Sequence, residues 1–393
     1  MSQEIQNLLY RSVENIYPNP AALEALLHSG KRLTVYAGFD PTGPTLHLGH
    51  AITLKKLAEM QQLGHRCIML IGDFTAMIGD PTDKSAARAK LTREEVLRNC
   101  KEYKKQAGHI IDFDGPNPVE LKFNSEWLAN MTFAEVVELA SHFTMQQMAE
   151  RDMFQKRVEE NKPIYLHEFL YPLMQGYDSV ALNVDLEIGG NDQTFNMLAG
   201  RTLMKEISHK EKCVLTCKLL TDNTGKKMGK TEGNMLSLFD SPNDMYGKVM
   251  SWTDGMISAG FELATSVPME EIRDHEKQMA NGENPMTFKK QLAKEIVTTL
   301  VNADAAQEAA EHFNTVHQKQ EIPNDIPVFD ISEPMTIVDA LIVADLVTSK
   351  SEARRQIEQG AVRVNNEVVE KIDHSIRTGD ILQKGKRFFA KFV

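Results

Sequence analysis

His47-Leu48-Gly49-His50 sets two imidazoles three residues apart around a glycine, at the foot of the turn Asp40-Pro41-Thr42-Gly43-Pro44-Thr45. Before the turn, Leu33-Thr34-Val35-Tyr36 is an apolar, β-branched run that reads as a buried strand. After it, Ile52, Leu54, Leu57, Met60 and Leu63 recur at helical spacing until Gly64, the expected C-cap. A strand, a tight turn and a helix place a helix N-terminus at the edge of a sheet. The unpaired N–H groups and positive dipole end there favour a phosphate, and His47 and His50 are placed to donate to its oxygens. Gly49 leaves room for a flat base against the backbone. The same residues would also make an ordinary turn with two exposed histidines, and H-x-G-H alone does not separate the two readings. A zinc site is disfavoured, because no further His or Cys lies at suitable spacing.

Two later stretches carry matching chemistry. Gly189-Gly190-Asn191-Asp192-Gln193 follows the strand-like Asn183–Ile188 and opens a helix near Thr194. A carboxylate beside paired glycines suits ribose hydroxyls approaching close to the backbone, which assigns Asp192. Lys226-Lys227-Met228-Gly229-Lys230-Thr231 is a basic, glycine-containing loop. Lysines on such a loop can close over a triphosphate and offset the charge that develops as pyrophosphate leaves. Taken alone it reads equally as a solvated turn. Lys84 and Arg88, four residues apart, would reach the same phosphates or lie on the surface.

The elements that must position these groups follow from the rest of the chain. Its 393 residues leave room for two or three domains of about 150 residues each. The residues Met1 to Gly30 read as a helical lead-in, and Cys67–Asp73 as a second buried strand that forms a parallel β-α-β unit with the first. Thr92 to Tyr171 reads as mostly helical, and its Met145, Met148 and Met153 as core or a subunit contact. Cys213–Thr216 is the last strand. From Ser241 to Lys319 the pattern is helical again, with Leu292, Ile296 and Leu300 on one face. Gln318 to Pro334, punctuated by Pro323, Pro327 and Pro334, reads as a linker.

In the tail, Thr336 and Ser349 are N-caps for helices over Ile337–Leu346 and Lys350–Gln359, the second closed by Gly360. Ala361–Val364 and Glu367–Val369 flank Asn365-Asn366 as a hairpin, and Asp380–Leu382 and Arg387–Ala390 complete a small sheet. From His374 onward Asp380 stands alone against Arg377, Lys384, Lys386, Arg387 and Lys391, which reads as a nucleic-acid contact patch or as solvated lysines.

Bulk composition excludes several classes. A net charge of −11 argues against coating nucleic acid indiscriminately, and leaves room for a local basic patch. Met1 to Arg11 lacks the basic flank and apolar core of a signal peptide, and no run approaches the roughly 18 apolar residues of a membrane span. A cytoplasmic protein with no membrane partner is expected. Cys213-x-x-x-Cys217 is not a usual metal or redox spacing, so Cys67, Cys100, Cys213 and Cys217 are expected as reduced thiols and no metal site is assigned.

The three chemical motifs, in this order and spacing, resemble those of a class I aminoacyl-tRNA synthetase: His47–His50 as the "HIGH" signature and Lys227–Thr231 as a variant of "KMSKS". Their surroundings narrow the resemblance to the tyrosyl-tRNA synthetase family. Tyr36-x-Gly38-Phe39-Asp40-Pro41-Thr42, Ile78-Gly79-Asp80-Pro81, Tyr171-x-x-x-Gln175-x-x-Asp178 and Gly189–Gln193 are similar to its active-site blocks. The run Ser349–Asn365 resembles the S4 RNA-binding domain of bacterial members, and residues 189–196 resemble the second bacterial subfamily. The resemblance covers nearly the whole chain.

It implies an α/β fold. A doubly wound, parallel, Rossmann-like catalytic domain would occupy 1–231, with a helical insertion over about 92–165 and a mobile loop at 227–231. A helical domain for the tRNA anticodon region (232–320), a linker (321–334) and a small α+β S4-like RNA-binding domain (335–393) would follow. The implied reaction joins the tyrosine carboxylate to the α-phosphate of ATP, releases pyrophosphate, and passes tyrosine to the 3′-terminal adenosine of tRNA(Tyr). ATP is a substrate, Mg2+ would travel with its phosphates, no tightly bound cofactor is needed, and a homodimer is expected. No nucleophilic side chain is required, only positioning and charge stabilisation.

Carried over by position, Thr42, His47, His50, Lys227, Lys230 and Thr231 form the catalytic set. Tyr36 and Asp178 would hold the substrate phenol, and Asp80, Tyr171 and Gln175 its α-ammonium. Asp40, Gly49, His50, Gly190, Asp192, Gln193 and Lys230 would meet ATP. Lys350, Arg354, Arg355, Lys384, Lys386 and Arg387 would meet RNA, and Lys84 and Arg88 would lie near tRNA or phosphate. The sequence departs from the family pattern at Gly229 and Thr231, where serines are usual, at Glu187 in place of Gln, at Ala37 in place of Cys and at Asp83 in place of Gly. Three rivals remain: a tryptophanyl enzyme, which Tyr36 and Asp178 oppose; a small-molecule nucleotidylyltransferase, with no use for residues 335–393; and a non-catalytic RNA-binding protein on the same scaffold.

Overall fold

Strand β2 (Thr34–Phe39) lies in the middle of a six-stranded sheet, and its side chains are buried on both faces except at Thr34 and Gly38. In this computed structural model the described residues are 3–80, 91–221, 235–317, 326–331, 333–365, 367–369, 371–385 and 388–393. The other strands are β1 (Val13–Tyr17), β3 (Arg66–Ile71), β4 (Glu120–Phe123), β5 (Leu186–Gly190) and β6 (Cys213–Cys217). Their spatial order is β1-β6-β5-β2-β3-β4. β6, β5, β2, β3 and β4 are parallel, and β1 runs antiparallel to β6 at the edge. From β2 the chain moves to β3 and β4 on one side, then returns to β5 and β6 on the other. That reversal makes the carboxyl ends of β2 and β5 a topological switch point, where α/β sheets open a crevice for ligands.

Two short strands correct the sequence reading. Met1 to Gly30 is not all helical: β1 separates the helices Gln3–Tyr10 and Pro20–His28. Only Ile16 of β1 is fully buried, so the strand carries almost no apolar pattern. Likewise β4 falls inside the stretch read as a helical insertion over 92–165. Glu120-Leu121-Lys122-Phe123 is a four-residue edge strand, half-buried throughout, and its two charges suppress the strand signal while guarding the edge.

The helices expected as a domain over 232–320 lie, as far as Ala306, in the same compact unit as the sheet. Residues Met1–Ala306 make one compact unit and Gln307–Val393 a second. A physical reason lies at Arg11, whose guanidinium donates to the carbonyls of Phe261, Glu262, Thr265 and Val267 at the end of the helix Ile257–Ala264. In the helix Pro285–Leu300, Leu292, Ile296 and Leu300 are buried, as their spacing predicts.

In the second unit Thr336 and Ser349 cap the helices Ile337–Val343 and Lys350–Glu358 by accepting the N–H groups of Asp339 and Glu352. Gly360 adopts φ +66°, as the expected helix stop requires. Strands β7 (Val328–Phe329), β8 (Met335–Thr336), β9 (Val362–Val364), β10 (Glu367–Val368), β11 (Ser375–Ile376), β12 (Ile381–Lys384) and β13 (Phe388–Phe392) follow in chain order. Five of them form a sheet in the order β10-β9-β12-β13-β7. Because β7 pairs with β13, Val328 and Phe329 in the middle of the stretch read as a 321–334 linker are part of this sheet. The core is built from Ile337, Leu341, Ile357, Val362, Leu382 and Phe392.

Candidate active site

The register of the central strands sets the floor of the site. Tyr36 on β2 is aligned with Glu187 on β5, and the helix Leu166–Leu182 brings Tyr171, Gln175, Asp178 and Ser179 to the same place. Tyr36 is 1% exposed and its hydroxyl lies 3.0 Å from Ser179 Oγ. Asp178 is buried, and its carboxylate accepts from Trp127 Nε1 at 2.8 Å and Asn124 Nδ2 at 3.3 Å. Burial holds the Asp178 carboxyl and the Tyr36 phenol well above their ordinary pKa values, and the two Trp127 and Asn124 bonds pull Asp178 part of the way back.

Asp40 follows β2 directly. Its Oδ1 accepts from Thr75 Oγ1 and its Oδ2 from the Tyr171 hydroxyl, each at 2.8 Å. Burial outweighs these two bonds and raises its pKa to about 7. The site needs glycine at Gly72, where a β-carbon would stand 1.9 Å from Asp40 Oδ1. Gln175 donates to Glu187 Oε1 at 3.2 Å, and Gln193 donates to Asp80 Oδ2 at 2.6 Å. The residues expected around a phenol and an ammonium therefore do converge. Gln193, expected on the ATP side, is bonded to Asp80 of the ammonium set and so stands at the junction of the two.

On the other side of β2 the histidine turn is tightly ordered. The His47 and His50 rings stack with centroids 3.7 Å apart, and Phe39 meets His50 edge-on at 5.7 Å. His50 Nδ1 accepts the His47 backbone N–H at 3.2 Å, at the start of the helix Leu48–Gln62. In the neutral ring that bond places the proton on Nε2. Gly49 packs against the His47 ring, and Thr42 N–H closes the turn on the Asp40 carbonyl at 2.8 Å. Across the crevice, Gly190 ends β5 and Asp192 sits in the 3-10 turn Asn191–Gln193, with its carboxylate folded over Gly190.

Residues 236–238 pair with the histidine turn: Leu48 N–H donates to the Leu236 carbonyl and Leu238 N–H to that of Leu46, each at 2.9 Å. The expected loop residues Lys227, Gly229, Lys230 and Thr231 lie outside the described residues, as do Lys84, Arg88, Lys386 and Arg387. Among the described residues no group of three His, Cys, Asp or Glu side chains is placed to hold a metal ion. No helix among them is long and apolar enough to cross a membrane.

Of the cations expected to meet RNA, Arg354 and Arg355 face solvent on the helix Lys350–Glu358. Lys350 is exposed and pairs with Asp339 at 2.8 Å. Lys384 is half-buried and turned back to the Leu346 carbonyl and Glu352.

Sequence reasoning missed the groups that hold the site from behind: Thr75, Asn124, Trp127, Ser179 and Lys212. Asn124 and Trp127 follow β4, so missing the strand hid them. Ser179 is a step past Asp178 on the same helix and gives no signal of its own. Lys212 lies in the run His209-Lys210-Glu211-Lys212, which looks like a solvated turn. It is instead 0% exposed, with its ammonium on Glu187 and on Ser179 Oγ at 2.8 Å. Burial lowers its pKa, and the adjacent Glu187 carboxylate draws it back up.

Comparison with known proteins gives this geometry its context. Residues 28–318 match the family described as tRNA synthetases class I (W and Y), and residues 318–390 match a tyrosine--tRNA ligase SYY-like C-terminal domain. The tyrosine--tRNA ligase of Moorella thermoacetica is 45% identical over 98% of this chain and 94% of its own length. That of Thermotoga maritima is 44% identical over 98% and 96%. Among solved structures, a truncated Coccidioides posadasii mitochondrial tyrosyl-tRNA synthetase overlays 79% of this chain and 92% of its own with a TM-score of 0.65 at 24% identity. An Archaeoglobus fulgidus tyrosyl-tRNA synthetase complexed with L-tyrosine overlays 79% of this chain and all of its own with a TM-score of 0.62 at 21% identity. These two structural likenesses support the fold. With 45% identity across nearly both full lengths and a family match over most of the chain, this protein belongs to the class I tRNA synthetases, in the tyrosine--tRNA ligase family.

Proposed function

We propose that this ligase activates L-tyrosine with ATP in the crevice between β2 and β5, then passes tyrosine to the 3′-terminal adenosine of tRNA(Tyr). The observation that carries the reading is the buried Tyr36–Asp178 pair. Both groups are committed to protein partners on one side, Ser179 for Tyr36 and Trp127 with Asn124 for Asp178. A phenol entering between them gives its hydroxyl proton to Asp178 and accepts from Tyr36. A phenylalanine ring would leave both buried groups unmatched, which costs about 1–3 kcal/mol for each one.

Asp80, Tyr171 and Gln175 take the α-ammonium, and the tyrosine carboxylate is thereby aimed at the α-phosphate. Thr42, His47 and His50, at the helix N-terminus, receive the triphosphate. Gly49 accommodates the base, and Gly190 and Asp192 the ribose. Lys227, Lys230 and Thr231 offset the charge on the departing pyrophosphate. Magnesium would be held chiefly by the ATP phosphates and water, lowering their charge repulsion.

Arg354 and Arg355 of the C-terminal unit, with Lys350, Lys384, Lys386 and Arg387, contribute to tRNA binding through its backbone. The four cysteines are free thiols, in keeping with a cytoplasmic enzyme. A homodimer is supported by Phe133, Val137, Met145, Val158, Tyr165 and Leu166, large apolar side chains exposed between 133 and 166. Sedimentation at micromolar concentration checks this: a stable, fully active monomer would defeat it.

The deciding experiment is exchange of labelled pyrophosphate into ATP with tyrosine, phenylalanine or tryptophan and no RNA. Exchange with tyrosine alone is the expected result. Exchange with tryptophan would keep the chemistry and overturn the phenol pocket.

A further inference from the structure

Behind the phenol pair lies a second layer of polar groups that no step above uses. Lys212, Ser179 and Glu187 are all buried. Lys212 Nζ is on Glu187 Oε2 and donates to Ser179 Oγ at 2.8 Å, and Ser179 Oγ is 3.0 Å from the Tyr36 hydroxyl. The fold makes room for this lysine with a glycine. A β-carbon at Gly200 would stand 2.6 Å from Lys212 Nζ and 2.8 Å from Ser179 Oγ.

We propose that Lys212 is a positioning residue for tyrosine recognition, fixing the direction of a hydrogen-bond chain Lys212→Ser179→Tyr36 so that the Tyr36 hydroxyl points its proton at the substrate phenol oxygen. The inference rests on the reading of Tyr36 and Asp178 as the phenol pair. An ammonium can only donate, so the Lys212–Ser179 bond uses a lone pair of Ser179 and leaves its single proton to be placed elsewhere. Two acceptors compete for that proton. Glu187 Oε2 is 3.4 Å away and already holds Lys212, whereas the Tyr36 oxygen is 3.0 Å away. Donation to Tyr36 is the shorter of the two, and the Tyr36 proton is then contested between Glu187 behind it and the substrate phenol in front. Glu187 is the acceptor that draws the Tyr36 proton inward, since the strand register sets the two side by side and the Tyr36 hydroxyl hydrogen-bonds to it. Lys212 occupies and neutralises it.

The opposite direction fails. If Tyr36 donated to Ser179, it would offer only lone pairs to a phenol whose proton already goes to Asp178. Two lone-pair donors would face each other in a buried pocket.

The test compares Ser179→Ala, the paired change Lys212→Met with Glu187→Gln, Tyr36→Phe, and Ser179→Ala combined with Tyr36→Phe, each checked for folding by circular dichroism. Steady-state pyrophosphate exchange gives KM and kcat, and direct binding gives Kd for non-hydrolysable tyrosyl- and phenylalanyl-adenylate analogues. Ser179→Ala is expected to raise the tyrosine KM by about two- to ten-fold, the worth of one neutral hydrogen bond. Its kcat and ATP KM stay unchanged, the tyrosyl analogue weakens to match, and the phenylalanyl analogue does not. The paired Lys212 change should act in the same direction, and Ser179→Ala should add nothing once Tyr36 is Phe. Equal weakening of both analogues would mean a merely structural role and overturn the proposal, as would full additivity with Tyr36→Phe. Should the paired variant fail to fold, Ser179→Ala alone decides. If Tyr36→Phe itself leaves the tyrosyl-to-phenylalanyl ratio unchanged, the phenol-pair reading falls first, a result distinct from failure of the chain behind it.

Discussion

On the floor of the crevice key polar groups are held by buried protein partners: Tyr36 by Ser179, Asp178 by Trp127 and Asn124, Asp40 by Thr75 and Tyr171. In the C-terminal unit two of the cations proposed for RNA, Arg354 and Arg355, stand in solvent on a nine-residue helix. The two regions place opposite demands on substitution. Removing a buried group strands its partners in a low-dielectric interior, where each orphaned donor or acceptor costs about 1–3 kcal/mol. Removing an exposed cation costs one screened, water-competed contact. Recognition of the small substrate should therefore fail steeply and that of the large one gradually.

The steepest expected break is at Asp178. Asp178→Ala removes the acceptor for the phenol and strands Trp127 Nε1 and Asn124 Nδ2 together. A loss of about 10²–10⁴ in kcat/KM for tyrosine exchange is expected from one such bond and two orphaned donors. A loss below tenfold would place the phenol elsewhere. Next comes Lys230→Ala, which removes a cation proposed to act only as pyrophosphate departs. It should lower kcat by about 10²-fold while leaving the tyrosine KM intact, the pattern of a contact made in the transition state. An unchanged kcat would sink the loop assignment. Ending the chain after His317 tests the comparison itself. Pyrophosphate exchange should survive because the crevice lies wholly within Met1–Ala306, while aminoacylation weakens. Loss of both would show that the second unit supports the catalytic fold.

The same contrast explains what could be read in advance. The strand–turn–helix around His47, the Gly189–Gln193 turn and the tail caps at Thr336 and Ser349 are local devices, set by glycine, proline and hydroxyl chemistry within a few residues, and they stand where their spacing predicts. β1 and β4 escaped because edge strands bury too little to impose an apolar period. Lys212 escaped for a different reason. A lysine is exposed by default, and only tertiary packing against Gly200 and Glu187 turns this one inward. The groups proposed to touch substrate lie in motifs, whereas those behind them are defined by contacts distant in sequence, such as Ser179 with Tyr36 or Asn124 with Asp178.

Burial also leaves a pH signature that exposed charge does not. Asp40 has its pKa raised from 3.8 to about 7, chiefly by burial. The folded protein then holds a proton that the unfolded chain has lost, so this residue's contribution to stability falls as pH rises between those two values. Asp40→Asn removes the charge and should raise the melting temperature relative to the parent more at pH 8 than at pH 5. An equal change at both pH values would mean that Asp40 is already ionised in the folded state at pH 5.

The smallest effects belong to the tail. Arg354→Ala and Arg355→Ala should each weaken tRNA binding a few-fold and leave tyrosine exchange untouched, because each removes one phosphate contact of many. The magnitude matters less than its salt dependence. If the side chain sits on a phosphate, its loss should flatten the plot of log Kd against log salt by about 0.7–0.9 per contact. A salt slope unchanged from the parent, with affinity nonetheless lost, would mean that the arginine reads a base or braces the helix. The C-terminal unit would then resemble the tyrosine pocket more closely than its exposed surface suggests.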